Sequence, residues 1–275
     1  MNVKTSSAKL LLTTLAFSVA ISTFASGPTS TLYAVNTLEY GANNGLDRIQ
    51  GASFNTGTTG NNNDYGLAVW GDVRTVGYFG GAVGSQFALN GSSLPGGAYQ
   101  DTYAADPIYD GTSDGKYNYG VGFFGGQVIQ YDRNWANPVV LFQDTNFSQW
   151  HSGITMNAQD GSFWLSQYKG GSVIEHFSHT GTLLSSFNTG LFGIHGLALD
   201  PIDGTLWMND ENQVNSLFQY DQSGNFLQQS VYAHSGRGWY GMEFDGRVVP
   251  EPTSMAMLAL AAGSLIRRRA RSRAN

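Results

Sequence analysis

Short runs of alternating apolar and polar residues, separated by glycine-containing turns, recur through the second half of the chain. Between residues 196 and 231 this pattern predicts four strands, at 196–200, 205–210, 216–221 and 225–231. Asp-Gly and Ser-Gly pairs stand between some of these strands, and such pairs are typical of the tight turns that join antiparallel strands. The segment is therefore predicted to form one small antiparallel sheet.

The same pattern occurs immediately upstream. Residues 153–187 align with residues 196–230 at an offset of 43 positions and without a gap. The matched pairs include Asp160 with Asp203, Trp164 with Trp207, Phe177 with Tyr220 and Gly181 with Gly224. Four strands in each repeat of this length are typical of a β-propeller blade.

Weaker copies of the repeat lie further upstream. The segment Asp106–Thr112 is interpreted as a copy of Asp200–Thr205, the turn that follows a first strand, and Val128–Asp132 matches Leu217–Asp221. First strands are predicted near residues 66, 102, 153, 196 and 241, which gives about five blades, with six as the alternative count. Two segments rich in Gly, Asn, Ser and Thr, 51–64 and 90–101, are predicted to be loops.

The two ends of the repeat region are predicted to complete one blade together. Gly241–Gly246 begins a repeat that has no later strands, whereas Ser30–Asn36 and Leu46–Ile49 resemble a second and a third strand. The predicted fold is therefore an all-β propeller of about five four-stranded blades, closed by N- and C-terminal strands so that no sheet edge is left free. A curved solenoid or a β-sandwich is the alternative.

The N-terminus has the features of a secretory signal peptide. Lys4 and Lys9 precede the apolar run Leu10–Phe24. Thr23 and Ala25 are small residues at the −3 and −1 positions of a cleavage site after Ala25. A membrane anchor is the alternative, although the run is shorter than the ~20 residues that a spanning helix needs.

The C-terminus combines a proline-flanked acid, an apolar segment and a basic end. Val249, Pro250, Glu251 and Pro252 precede the apolar segment Met255–Ile266, and the basic residues after it are Arg267, Arg268, Arg269, Arg271 and Arg273. The combination resembles the PEP-CTERM sorting signal of Gram-negative bacteria, and an ordinary C-terminal anchor is the alternative. The resemblance implies that an exosortase-like protease cuts near Pro-Glu-Pro, while the short helix lies transiently in the inner membrane and the arginines stay cytoplasmic.

These features divide the chain into a signal peptide at 1–25, a propeller domain at 26–249 and a sorting signal at 250–275.

Without residues 1–25 and 253–275 the chain keeps seven basic and 20 acidic residues, a net charge of about −13. Such a charge opposes binding to nucleic acid or anionic lipid. There is no cysteine, so an exported domain of this sequence depends on its apolar core instead of disulfides.

One repeat resembles a known blade motif. The segment Ile194–Trp207 is similar to the blades of NHL-type and streptogramin-lyase-like propellers. The resemblance to the lyases implies a site at the mouth of the central channel, in which a histidine and a nearby carboxylate act with a metal. His151, His195 and His234 precede three successive first strands and are the candidates here, but no spacing places an acid beside them, so loop or packing roles are the other interpretation.

Other candidate chemistry is sparse. Asp210, Glu211 and Glu243 lie near strand ends and are candidate ligands for Ca²⁺ or Mg²⁺, although the D-x-D-x-D-G pattern of a calcium loop is absent. The Asp-Gly pairs at 160, 203 and 245 are interpreted as turns. Four tryptophans are predicted to lie in cores between blades instead of on a sugar-binding surface: Trp70, Trp164, Trp207 and Trp239.

The functional hypothesis is a non-catalytic binding or structural module. It is expected to be exported through the inner membrane to the cell envelope, outer surface or extracellular matrix, with an exopolysaccharide or another surface component as partner and no nucleic acid. The alternative is a propeller enzyme of lyase or lactonase type with a metal-assisted site at the central channel.

Overall fold

The computed structural model describes residues 27–36, 45–58, 64–77, 83–103, 105–145, 150–168, 172–233 and 238–247. These residues form 19 strands in five antiparallel sheets. The predicted signal peptide, the sorting signal with Val249 to Pro252 and the arginine cluster, and His234 lie outside the described residues. No helix among the described residues has the length and apolarity needed to cross a membrane.

The sheets follow one another along the chain, and we number them as blades. Blade 2 contains β4 (Asp64–Val69), β5 (Val73–Gly77) and β6 (Gln86–Phe87). Blade 3 contains β7 (Ile108–Ser113), β8 (Tyr117–Gly122), β9 (Gln127–Asp132) and β10 (Val139–Gln143). Blade 4 contains β11 (His151–Met156), β12 (Phe163–Gln167), β13 (Val173–Phe177) and β14 (Leu183–Asn188). Blade 5 contains β15 (Leu197–Leu199), β16 (Leu206–Asn209), β17 (Ser216–Tyr220) and β18 (Phe226–Val231).

Blade 1 is assembled from both ends of the described chain. Its strand order is β19 (Trp239–Phe244), β1 (Leu32–Asn36), β2 (Gly45–Gln50) and β3 (Ser53–Thr58). β1 pairs antiparallel with β19, with Leu32 opposite Phe244 and Ala34 opposite Met242. The predicted closure by strands from both ends of the repeat region is therefore confirmed, and the first strand of blade 1 is the last of the described strands.

The first strand of each blade lies at the axis of the ring. β4, β7, β11, β15 and β19 each contact the next one, and β19 contacts β4 to complete the circle. The residues of these strands are almost all buried, whereas the outermost strands β10, β14 and β18 expose most of their side chains. This arrangement is the predicted five-bladed β-propeller.

The hydrophobic core is divided among the interfaces between blades. Each of five buried apolar clusters contains residues of two neighbouring blades. Trp207 of blade 5, for example, lies fully buried in one cluster with Leu32 and Phe244 of blade 1. Since every blade shares a core with both neighbours, the ring is held by apolar packing without disulfides.

Three predictions of strands need correction. The first strand of blade 3 starts at Ile108 and not near residue 102, and Asp110 with Gly111 lies within this strand and not in a turn. Residues 53–58 form β3, although their Gly, Asn and Thr content predicted a loop. Such a polar segment pairs with β2 because it is the outermost strand of its blade, where its side chains face solvent. The described residues of blade 2 form three strands.

Candidate functional site

Each blade contributes one side chain, from the equivalent position of its inner strand, to the same mouth of the central channel. The inner strands align on Gly66, Asp110, Gly153, Gly196 and Gly241. Directly before these positions stand Tyr65, Tyr109, Ser152, His195 and Tyr240. Because the inner strands all begin at the same face of a propeller, these five side chains meet around the axis.

The rings at this mouth contact one another closely. The centroid of Tyr240 lies 4.6 Å from that of Tyr65, 5.7 Å from that of Tyr109 and 4.4 Å from that of His195. The hydroxyl of Ser152 lies 3.2 Å from Nδ1 of His195. Tyr65 meets Tyr240 and Tyr109 edge to face, an arrangement that aromatic rings favour.

A second group of rings continues this surface outward over blades 3 and 4. Phe123 lies 4.5 Å from Tyr109 and 5.1 Å from Trp150, between ring centroids, and Trp150 stacks parallel to Tyr168 at 6.5 Å. Phe124 and Trp150 are exposed to 53% and 45%. We call the surface formed by these rings and those at the axis the aromatic mouth; it comprises Tyr65, Tyr109, Phe123, Phe124, Trp150, Tyr168, His195 and Tyr240. Phe124 and Trp150 are its exposed members, whereas Tyr65, Tyr109 and Tyr240 are half-buried and the other three rings are buried. Apolar side chains with a few polar atoms are typical of ligand sites.

Below the aromatic mouth the channel is blocked by Asp110. Its two carboxylate oxygens accept backbone N–H groups from Gly111, Ile154, Leu197 and Met242, at 2.8, 3.1, 2.9 and 2.8 Å. The donors belong to four inner strands, so one side chain connects blades 3, 4, 5 and 1. Burial raises the pKa of Asp110 well above its ordinary value, and the nearby Glu243 raises it further, against the effect of the N–H donors.

The glycines of the other inner strands make this close approach possible. A Cβ atom on Gly196 would collide with the backbone oxygen of Tyr240, and one on Gly241 with the backbone oxygen of Tyr65. Glycine at these positions lets neighbouring inner strands lie against each other, while Asp110 fills the space left at the axis.

Glu243 lies at the opposite end of the channel. Its carboxylate accepts the hydroxyl of Thr155 at 3.0 Å and the backbone N–H of Phe244 at 2.9 Å. Burial raises the pKa of Glu243 to about 8. This carboxyl lines a pocket of about 320 Å³ whose rim includes Trp70, Met156 and Arg247.

A third group lies between blades 3 and 4. His151 Nε2 is 3.3 Å from Asp144 Oδ2 and 3.4 Å from Glu175 Oε2, and all three side chains are buried. Burial lowers the pKa of His151, but the two carboxylates outweigh it and hold the pKa above its ordinary value. Among the described residues, this is the one group of three His, Asp or Glu side chains close enough to share a metal ion.

The candidate histidines have different positions. His195 lies in the aromatic mouth, whereas His151 contacts Asp144 and Glu175 in the interface between blades. The reason is register: His151 precedes its axial glycine by two residues and His195 by one, so their side chains point to opposite sides of their strands. The described residues therefore do not form the expected metal group of histidine and carboxylate in the channel.

The other candidates also have structural partners. Glu211 accepts the hydroxyl of Tyr168 at 3.0 Å, at the edge of the aromatic mouth, and Asp210 accepts the backbone N–H of Phe192 at 3.3 Å. Asp160 and Asp203 lie in the predicted turns. The tryptophans 164, 207 and 239 are buried between blades as predicted, and Trp70 is half-buried.

The residues missed by sequence reasoning carry most of the site. Trp150, Tyr109 and Tyr240 belong to no sequence motif, and Asp110 belongs to an Asp-Gly pair that predicts a turn. A signal was present, because alignment of the inner strands on their glycines brings three tyrosines and His195 to one position.

Similarity to known proteins supports the fold. The chain superposes on a chain in the crystal structure of a nidogen/laminin complex with a TM-score of 0.53 and 13% sequence identity, over 78% of this chain and 97% of that one. It also resembles a structural genomics protein of unknown function from Bacteroides thetaiotaomicron, with a TM-score of 0.55, 13% identity and coverage of 81% of this chain and 65% of that one. No protein-family model matches the sequence, and no curated protein does. The shared property is the propeller fold.

Proposed function

We propose that this propeller is a non-catalytic binding module that is exported, sorted to the cell surface and attached there to a neutral polysaccharide through the aromatic mouth. The observation that carries the proposal is the row of contacting rings that joins the half-buried Tyr109 at the axis, through the buried Phe123, to the exposed Trp150 and Phe124. Ring faces of this kind stack on the C–H faces of sugar rings, and tyrosine hydroxyls supply hydrogen bonds at the edge.

The charge of the molecule favours a neutral ligand. A net charge of about −13 without the terminal segments repels anionic polymers, including nucleic acids and acidic polysaccharides. The aromatic mouth itself contains rings and hydroxyls, with Glu211 at its edge. A neutral sugar chain meets these conditions without the need for a counter-charge.

Binding is tested by calorimetry with the neutral exopolysaccharide purified from cells that make the protein. We expect Trp150→Ala to weaken binding by at least about fivefold, since loss of one aromatic ring that stacks on a nucleic-acid base costs roughly 1–3 kcal/mol and a sugar ring stacks in the same way. Leu227→Ala is the control, because Leu227 is an exposed apolar residue, 48% exposed, on the outermost strand of blade 5. Equal affinity of the two variants and the unchanged protein would refute the aromatic mouth as the binding site.

Sorting is tested separately by the intact mass of the protein recovered from the cell surface. The leader and the tail each pair an apolar segment with basic residues in the expected order. We expect a mass that lacks both the signal peptide and the Arg267–Arg273 cluster. A surface protein that keeps the arginine cluster contradicts exosortase-like processing while leaving the binding site untouched.

A further inference from the structure

The buried group between blades 3 and 4 has the composition of a metal site. Asp144 follows β10 of blade 3, His151 begins β11 of blade 4 and Glu175 lies in the middle of β13 of the same blade. The side chains of His151, Asp144 and Glu175 are 0%, 2% and 8% exposed. The three ligand atoms lie within 4.8 Å of one another.

The distances in this group differ from those of an ordinary ion pair. A hydrogen bond from imidazole to a carboxylate is typically about 2.7–2.9 Å long. His151 Nε2 is instead 3.3 Å from Asp144 Oδ2 and 3.4 Å from Glu175 Oε2, and its single hydrogen cannot lie along both lines. In a tetrahedral zinc site with bonds of about 2.0–2.1 Å, two ligand atoms are about 3.3 Å apart. The distances from His151 Nε2 to the two carboxylate oxygens therefore match the separation of ligand atoms around one small ion.

The charge of the group also calls for a cation. Two buried carboxylates beside one imidazole bring more negative than positive charge into the interface between the blades, and buried charge is costly. Asp106 adds a third acid close enough to interact electrostatically with His151. A divalent ion would neutralise both carboxylates. The imidazole ligand favours zinc over Ca²⁺ or Mg²⁺, which take oxygen ligands.

We propose that Asp144, His151 and Glu175 bind one structural Zn²⁺ ion that joins blade 3 to blade 4. The ion would hold the start of β11, where the residue after His151 is Ser152, the partner of His195 in the aromatic mouth. It stabilises the domain and keeps that strand in place. The proposal does not depend on the identity of the ligand at the mouth.

The test uses the full chain, treated with a chelator and then titrated with zinc chloride in a calorimeter, with bound zinc counted by mass spectrometry. We expect one Zn²⁺ per chain and a higher melting temperature with zinc. His151→Gln should lower the zinc affinity by more than about 100-fold, since even outer-shell changes cost about 10- to 100-fold. His179→Gln, a change at an exposed histidine of the same blade, should leave the affinity unchanged.

Two results would overturn the zinc site. One is the absence of zinc uptake by the unchanged chain at micromolar zinc. In that case the imidazole and the carboxylates are joined by a proton and not by a metal ion. The other is undiminished uptake by His151→Gln. If that variant does not fold, Glu175→Gln, which keeps the shape of the side chain, must show the loss of affinity instead, and unchanged affinity there contradicts the proposal equally.

Discussion

Trp207 shows how single residues hold the ring together. Its side chain is fully buried between blades 5 and 1, in the cluster that also contains Leu32 and Phe244. We predict that Trp207→Ala lowers the free energy of unfolding by roughly 3–5 kcal/mol, the usual effect of removing a large buried aromatic side chain. Trp150→Ala is the matched control, because Trp150 is 45% exposed. Thermal or denaturant melts measure both, and similar small losses would place Trp207 outside the core.

Glu243 makes the stability of the protein depend on pH. Folding raises its pKa from 4.5 to about 8 through burial, so the folded state binds the proton more tightly than the unfolded state does. Stability is therefore highest at low pH within this window and falls as the pH rises from about 4.5 to 8, by up to about 1.4 kcal/mol per pH unit from this group.

The variant Glu243→Gln, which imitates the protonated carboxyl, should remove this part of the pH dependence. We predict that its melting temperature exceeds that of the unchanged protein at pH 8 and matches it near pH 4.5. Glu211→Gln, the same change at an exposed glutamate, is the control. Equal slopes of melting temperature against pH in the unchanged protein and Glu243→Gln would show that Glu243 is not buried in the channel.

Asp110 marks the limit of what residue patterns alone predict. Its Asp-Gly pair is the residue choice of a tight turn, but the structure uses the carboxylate as an acceptor for four backbone N–H groups at the axis. The position becomes recognisable only when the five inner strands are aligned in space. His151 is a similar case, since its carboxylate partner Glu175 lies 24 residues away on a different strand of the blade and Asp144 belongs to the neighbouring blade.

Strands are predicted most accurately in the blades where the sequence repeat is clearest. Blades 4 and 5 repeat without a gap, so the four strands of each were placed close to their observed positions. Blade 3 has an Asp-Pro-Ile sequence that matches a turn elsewhere, which shifted its predicted first strand to residue 102 from its true start at Ile108. The strand β3 is not predicted because its sequence, Ser53–Thr58, contains one large apolar residue, Phe54, and so lacks the alternating apolar pattern of a strand.

Closure by β1 and β2 leads to a prediction about these elements. In blade 1 the strands β1 and β2 lie between β19 and β3, so deletion of residues 26–50 removes both and leaves β19 and β3 each without its strand partner. The clusters shared by blade 1 with blades 5 and 2 are also lost in part. We predict that the truncated protein aggregates or becomes sensitive to protease.

Limited proteolysis and size-exclusion chromatography measure this effect. Deletion of residues 253–275 is the control, since none of the described strands includes residues of that segment, and this variant should stay compact. A monomeric, protease-resistant protein without residues 26–50 would show that blade 1 is dispensable and that the ring is not closed by pairing of the two ends.

For the molecule as a whole, the two faces of the ring have different chemistry. One mouth of the channel is lined by rings and hydroxyls, whereas the other holds the buried carboxyl of Glu243 in a pocket with Arg247 at its rim. Asp110 separates them and blocks the channel. A ligand that stays outside the channel, such as a long polymer lying across one face, suits this geometry better than a small molecule that passes through it.

The proposed binding at the aromatic mouth is tested most directly by the fluorescence of Trp150. Of the six tryptophans, Trp135, Trp164, Trp207 and Trp239 are buried, Trp70 is half-buried and Trp150 is exposed. In a Trp70→Phe background, quenching by acrylamide therefore reports chiefly on Trp150. If the neutral exopolysaccharide covers the aromatic mouth, saturation with it should reduce the quenching constant nearly to that of a Trp150→Phe variant in the same background. A quenching constant that stays unchanged at saturation would contradict binding at this face.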